Sequence, residues 1–147
     1  MSSMNAWLLD FGDSCQAAVG TRELLHLVDT PATFEVPCTP IYCRHVVLWQ
    51  DRLLPVMDIA ARIGVAPRIA SLIAVVGYQQ HRGEYPQFGA IMLAAPPQQL
   101  SVSNEQTCPL PSQSSGWQEL SISCFEHQGT PVPILNLSYI FSNTPCQ

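Results

Sequence analysis

The chain contains no lysine. Its six cations are all arginine, set against 11 acidic residues for a formal net charge of −5. Six scattered guanidinium groups cannot neutralise a run of phosphates, which argues against nucleic-acid binding and against docking on an anionic membrane surface. Charge of either sign is scarce: 12% of residues are charged and 47% are hydrophobic, the reverse of a disordered composition. Long apolar runs are missing as well. The longest, residues 72–76 and 90–95, are strand-sized and far from the ~18 residues of a membrane-spanning helix. The first six residues lack a basic region followed by an apolar core, so no signal peptide is expected. The expectation is a cytoplasmic protein whose cysteines, at 15, 38, 43, 108, 124 and 146, are reduced thiols.

Catalytic signatures are also wanting. There is no Gly-x-Ser-x-Gly elbow, and Gly12, Gly20, Gly64 and Gly77 are isolated rather than gathered in a phosphate loop. The densest metal-like cluster, Cys38-x4-Cys43-x-His45, lacks a second ligand pair unless the fold brings Cys124 and His127 to it. Neither a metal nor a cofactor is expected. A thiol-based sensor or enzyme using Cys43 with His45 is the rival of another class, and it requires a base within hydrogen-bond reach of an accessible thiol.

What the chain does have is one pattern written twice. Residues 51–63, Asp-Arg-Leu-Leu-Pro-Val-Met-Asp-Ile-Ala-Ala-Arg-Ile, return 78 positions later as 129–141, Gly-Thr-Pro-Val-Pro-Ile-Leu-Asn-Leu-Ser-Tyr-Ile-Phe. Each copy has a turn, an apolar strand with proline at the same place, and a short helical tail. Asp58 and Asn136 occupy matching positions, and both suit a helix N-cap. A repeat this long implies two related units packed together.

Around the repeat, short apolar segments alternate with turn residues. Residues 7–11 and 15–19 flank Gly12-Asp13-Ser14 and read as a hairpin; 21–28 reads as a helical turn capped by Thr21 and running into a strand. Prolines 31, 37 and 40 confine any strand near 33–36 to an edge. Strands are predicted at 42–49 and 52–57, joined by the two-residue turn Gln50-Asp51, with a helix at 58–63 ended by Gly64 and a link at 65–68. Further strands are expected at 71–78, 88–93, 98–102, 117–125 and 132–135. Residues 94–97 and the loop 107–116 would break the chain.

At this point the chain resembles the CheW-like domain family. Phe11-Gly12-Asp13, the 35–40 segment Glu-Val-Pro-Cys-Thr-Pro, the 46–51 segment Val-Val-Leu-Trp-Gln-Asp and the 54–59 segment Leu-Pro-Val-Met-Asp-Ile carry the resemblance in the first half. Residues 88–93, 97–102 and 128–141 continue it in order. The family's Asn-Leu-Arg-Gly turn is Leu48-Trp49-Gln50-Asp51 here, its glycine before the strand is His45, and its frequent acidic residue falls at His26.

The resemblance implies a mainly-β fold of two small five-stranded SH3-like barrels with short helices, one domain over 6–142. Its barrels would lie near 6–68 and 69–142, with exchange of terminal strands left open. It further implies a non-catalytic adaptor that joins a chemoreceptor's cytoplasmic tip to the regulatory domain of a CheA-type histidine kinase, in a flagellar or a type IV pilus system. Self-association is a further option. Leu24, His26, Leu27, Trp49, Gln50 and Asp51 are the partner-contact positions carried over.

Overall fold

The computed structural model of the chain describes residues 3–12, 15–29, 33–37, 41–63, 72–79, 83–110 and 116–142. Eleven strands form two sheets among them. The first sheet runs β10 (Ser121–His127), β11 (Thr130–Leu135), β2 (Cys15–Gly20), β1 (Ser3–Gly12), β9 (Ala95–Ser103). The second runs β3 (Leu24–Asp29), β7 (Leu72–Tyr78), β8 (Gln87–Leu93), β6 (Arg52–Met57), β5 (His45–Trp49), β4 (Thr33–Glu35). Both sheets are curled, and short helices pack between them.

The sheets do not coincide with the consecutive stretches 6–68 and 69–142. The first takes β1 and β2 from the amino-terminal part and β9 to β11 from the carboxy-terminal part. The second takes β3 to β6 from one and β7 and β8 from the other, and has six strands rather than five because β4 is added at its edge. Each sheet contains one parallel pairing inside it, β11 with β2 through Ile134 opposite Ala18, and β6 with β8 through Val56 opposite Ala90. These two pairings are equivalent under the repeat.

The alternation of side chains sorts the apolar residues into three clusters. Leu8, Ala18, Phe125 and Val132 fill the concave side of the first sheet. Val47, Leu54, Val56, Ile73, Val75 and Ala90 fill that of the second. Their neighbours one position along, such as Leu9, Val19, Ala74, Val76 and Ile91, point the other way into a larger shared cluster. β1, β2, β7 and β8 are therefore apolar on both faces, which explains their nearly unbroken hydrophobic runs. Helices α1 (Ile59–Arg62), α2 (Gly116–Leu120) and α3 (Leu137–Ser142) complete the shared cluster with Ile59, Trp117, Leu120, Ile140 and Phe141.

The repeat is realised atom by atom. Asp58 accepts from the Ala61 amide at 3.1 Å and Asn136 from the Tyr139 amide at 3.3 Å, each capping the helix that follows. The Asp58 amide donates to the Tyr42 carbonyl and the Asn136 amide to the Leu120 carbonyl, both at 2.7 Å. Tyr42 lies in a 3-10 turn (Ile41–Cys43) and Leu120 ends α2, so these segments are counterparts too.

Several sequence expectations are corrected. Residues 117–120 form helix α2, because Trp117 and Leu120 must both reach the shared cluster, and helical spacing achieves that. The strand expected from 42 starts at His45, after the 3-10 turn. β8 ends at Leu93 as expected, but β9 already starts at Ala95 rather than at 98 and takes in Pro96 and Pro97: it is an edge strand, and its register with β1 shifts between the Leu8 and Asp10 pairings, where the prolines sit. Thr21 does not cap a helix. Its hydroxyl is buried without a partner among the described residues, and the Glu23 carboxylate accepts from the Gly20 amide at 2.7 Å instead. Gly64, the 65–68 link and residues 111–115 of the 107–116 loop lie outside the described residues.

Candidate interaction surface

The turn between β5 and β6 places both Gln50 (φ 49°) and Asp51 (φ 62°) in the left-handed region. That is the two-residue hairpin geometry that matches strand twist, adopted here without the glycine that usually supplies it. At its base, the half-buried Trp49 ring lies 5.7 Å from Phe88, and the Arg52 guanidinium sits 5.1 Å over the same Phe88. Trp49 is thus packed against the second sheet's concave cluster, while Gln50 and Asp51 stand exposed at the tip.

Leu24, His26 and Leu27 lie on β3, the opposite edge of the same sheet. A bulge at Leu25 shifts the register, setting Leu24 opposite Val76 and His26 opposite Val75. Leu24 consequently packs against the shared cluster, whereas His26 and Leu27 are exposed. Two strands, β7 and β8, separate this edge from the β5–β6 hairpin that carries the Gln50 turn. No hydrogen bond or ring contact among the described residues joins the two sets. The six positions form two surfaces, not one.

On the β4–β5–β6 side the structure presents residues that the sequence reading passed over. Leu48 and Leu53 face each other directly across the β5–β6 hairpin, 55% and 64% exposed. One step along the same face, Val46 is paired with both Pro55 and Phe34, and Phe34 is 53% exposed. Phe34, Val46, Leu48, Leu53 and Pro55 thus make one outward apolar band across three strands, with the exposed Arg44–Glu35 pair (3.9 Å) beside it. The sequence alone does not set them apart from core. Residues 46–49 and 53–56 are apolar without alternation, and only their exposures show that Leu48 and Leu53 face outward.

The second repeat shows that the band is not a requirement of the fold. Leu48 and Leu53 correspond to Glu126 and Pro131, an equivalent pair across the β10–β11 hairpin. The same backbone is built there with a charge and a proline. Exposed leucines in one copy only are a property of the surface, and exposed apolar patches mark places where partners dock.

The chemical candidates fare differently. Cys43 is completely buried in the shared cluster, so its thiol meets no solute, and His45 begins β5 only half-buried. Cys38 lies outside the described residues, among which no three His, Cys, Asp or Glu could share a metal ion. The Asp58 carboxylate is engaged as a cap rather than aimed at solvent. A polar cleft of about 290 Å³ opens on the first sheet, lined by Leu8, Gln16, Gln98, His127, Gln128 and Thr130. Its single imidazole has no carboxylate or thiol beside it in that lining, so it lacks an acid–base pair.

The sequence family described as the CheW-like domain matches residues 12–144, nearly the whole chain. The chain belongs to the CheW-like domain family. No curated protein matches it in sequence. In structure it is similar to the scaffolding protein TtCheW from Thermoanaerobacter tengcongensis, with a TM-score of 0.76 over 95% of this chain and 93% of that one. Identity in that alignment is 14%, so the likeness is one of fold. The two curled sheets are accordingly the two SH3-like subdomains of a CheW-like fold, as the sequence resemblance implied. No helix among the described residues is long and apolar enough to cross a membrane.

Proposed function

We propose that this CheW-like domain is a non-catalytic adaptor that couples chemoreceptors to a CheA-type histidine kinase at the cytoplasmic face of a chemosensory complex. The observation that carries this reading is the apolar band of Phe34, Leu48 and Leu53, whose two exposed leucines are Glu126 and Pro131 in the second copy. That band is the docking face for the kinase's regulatory domain. The family's turn arginine is Gln50 here, so docking relies on apolar burial more than on a bidentate ion pair. Trp49, Gln50 and Asp51 border the same hairpin and extend the contact. The β3 edge, with Leu24, His26 and Leu27, lies apart and serves the second partner, the helical tip of a receptor, by helix-in-groove packing. Contacts of this kind are weak singly and gain strength when both partners are engaged.

A binding titration against the regulatory domains of the CheA-type kinases of the same genome tests the reading. Leu48→Arg and Leu53→Arg are expected to weaken binding at least about tenfold, the effect of truncating an interface hot spot. Leu27→Arg, on the other edge, is expected to leave kinase binding within about twofold. The kinase that binds identifies a flagellar or a pilus pathway. Folded protein that binds none of them, or that only self-associates, would overturn the proposal.

A further inference from the structure

Cys108 and Cys124 stand side by side on the first sheet. The Cys108 amide donates to the Cys124 carbonyl at 3.1 Å, and Thr107 forms a bridge with Phe125. Gln106 fastens the same segment, its side-chain amide donating to the Glu126 carbonyl at 3.0 Å. The two sulfurs are 3.4 Å apart, in contact, and a disulfide of about 2.05 Å needs an approach on the order of 1 Å. Cys108 is half-exposed and Cys124 is buried, so one thiol is open to a solute and the other is reachable only from its neighbour.

We propose that Cys108 and Cys124 form a reversible disulfide by exchange with a small-molecule disulfide, Cys108 reacting first and Cys124 resolving. The Cys108 thiolate attacks one sulfur of the small disulfide, forming a mixed disulfide and releasing one thiolate. Cys124 then loses its proton to water and displaces the second small thiolate. Two protein thiols are oxidised and one small disulfide is reduced to two thiols. The order follows from environment as well as access: burial, together with the hydrogen bond and charge of Cys108, pushes the Cys124 thiol up to about 12. Cys124 is therefore a poor first nucleophile at neutral pH. Mixed-disulfide formation at Cys108 removes that charge and presents a sulfur within reach.

The other described cysteines, Cys15 and Cys43, are buried in the shared cluster and do not compete. The bond would close a loop that contains α2 and would tie the 106–108 segment covalently to β10. It would act on the sheet opposite the proposed kinase-docking band.

The test treats the folded full-length chain with oxidised glutathione at neutral pH, quenches it in acid and digests it with a protease that cleaves after glutamate. Cleavage at Glu105, Glu119 and Glu126 leaves Cys108 in 106–119 and Cys124 in 120–126. The expected result is a disulfide-linked pair of these two peptides, abolished by reductant, with two of the six thiols lost. The thermal midpoint should rise by several degrees on oxidation. Cys108→Ser should abolish the linked pair and the shift while folding normally. Cys124→Ser should trap the glutathione adduct on 106–119. Linkage of 106–119 to the peptide holding Cys146, or no linkage in folded protein at saturating oxidant, would overturn the proposal.

Discussion

The Arg62 guanidinium donates to the Ile140 carbonyl at 3.2 Å, so a side chain from the first repeat closes the last turn of the helix in the second. The same group lies 5.1 Å over the Tyr42 ring and 5.9 Å over the Tyr139 ring. One cation thus joins α1 to α3 at the seam between the repeats. Among the described residues its charge is held by ring faces and a helix-end carbonyl rather than by a carboxylate.

Replacing Arg62 should loosen that seam. Arg62→Ala is expected to cost about 2 kcal/mol of unfolding free energy, from a charged hydrogen bond and lost stacking on two rings. Arg62→Lys keeps the charge but not the planar fork, and should recover only part of the loss. Urea denaturation of the three proteins reads this directly. Equal stability of wild type and the alanine variant would deny Arg62 a role in joining the repeats.

The caps allow an internal comparison. Asp58→Ala and Asn136→Ala should each cost about 1 kcal/mol, because each leaves a first-turn amide without its acceptor. Asp58→Asn and Asn136→Asp should be near-neutral, since amide and carboxylate cap about equally well. Denaturation midpoints of the four variants give the answer. An Asp58→Asn loss as large as that of Asp58→Ala would mean that the carboxylate's charge, not its capping oxygen, matters at this position.

Gly89 is required by close approach. A Cβ there would fall far inside contact distance of the Phe141 ring, which lies stacked on Tyr78 with centroids 5.4 Å apart. Gly89→Ala should therefore destabilise by about 1–3 kcal/mol, as overpacking does. Combining it with Phe141→Leu should cost less than the sum of the two single changes, because the smaller side chain vacates the space. Strict additivity in this double-mutant cycle would show that the clash is relieved elsewhere.

Glu23 makes stability depend on pH. Burial raises its carboxyl above the ordinary carboxylate range, and the hydrogen bond from the Gly20 amide only partly opposes this. The folded state therefore holds the proton more tightly than the unfolded chain does. Its contribution is complete below the ordinary carboxylate pKa and is lost as pH rises through the raised one. Glu23→Gln keeps an acceptor for the Gly20 amide without the charge. The expected result is that wild type and variant match in acid and that wild type falls behind as pH rises toward neutral. Stability curves measured in urea across that range check it, and parallel curves would refute the assignment.

The sequence by itself determined the local units, because each is specified by residues close together in the chain. The 51–63 and 129–141 copies announced a turn, a proline-bearing strand, a cap and a helix, and all four form in both. The β1–β2 hairpin and the edge position of β4 were legible for the same reason. Membership of the CheW-like family followed from the order of such units rather than from any single motif.

Only the tertiary structure decided which strands share a sheet. The pairing of β2 with β11 and of β3 with β7 joins segments far apart in sequence, and alternation along one strand says nothing about its neighbour's identity. The strand–helix choice at 117–120 was decided the same way, by where Trp117 and Leu120 had to be buried. So was the exposed apolar band proposed as the docking face. Leu48 and Leu53 are apolar residues in an apolar run, indistinguishable in sequence from core, until the folded hairpin shows them exposed.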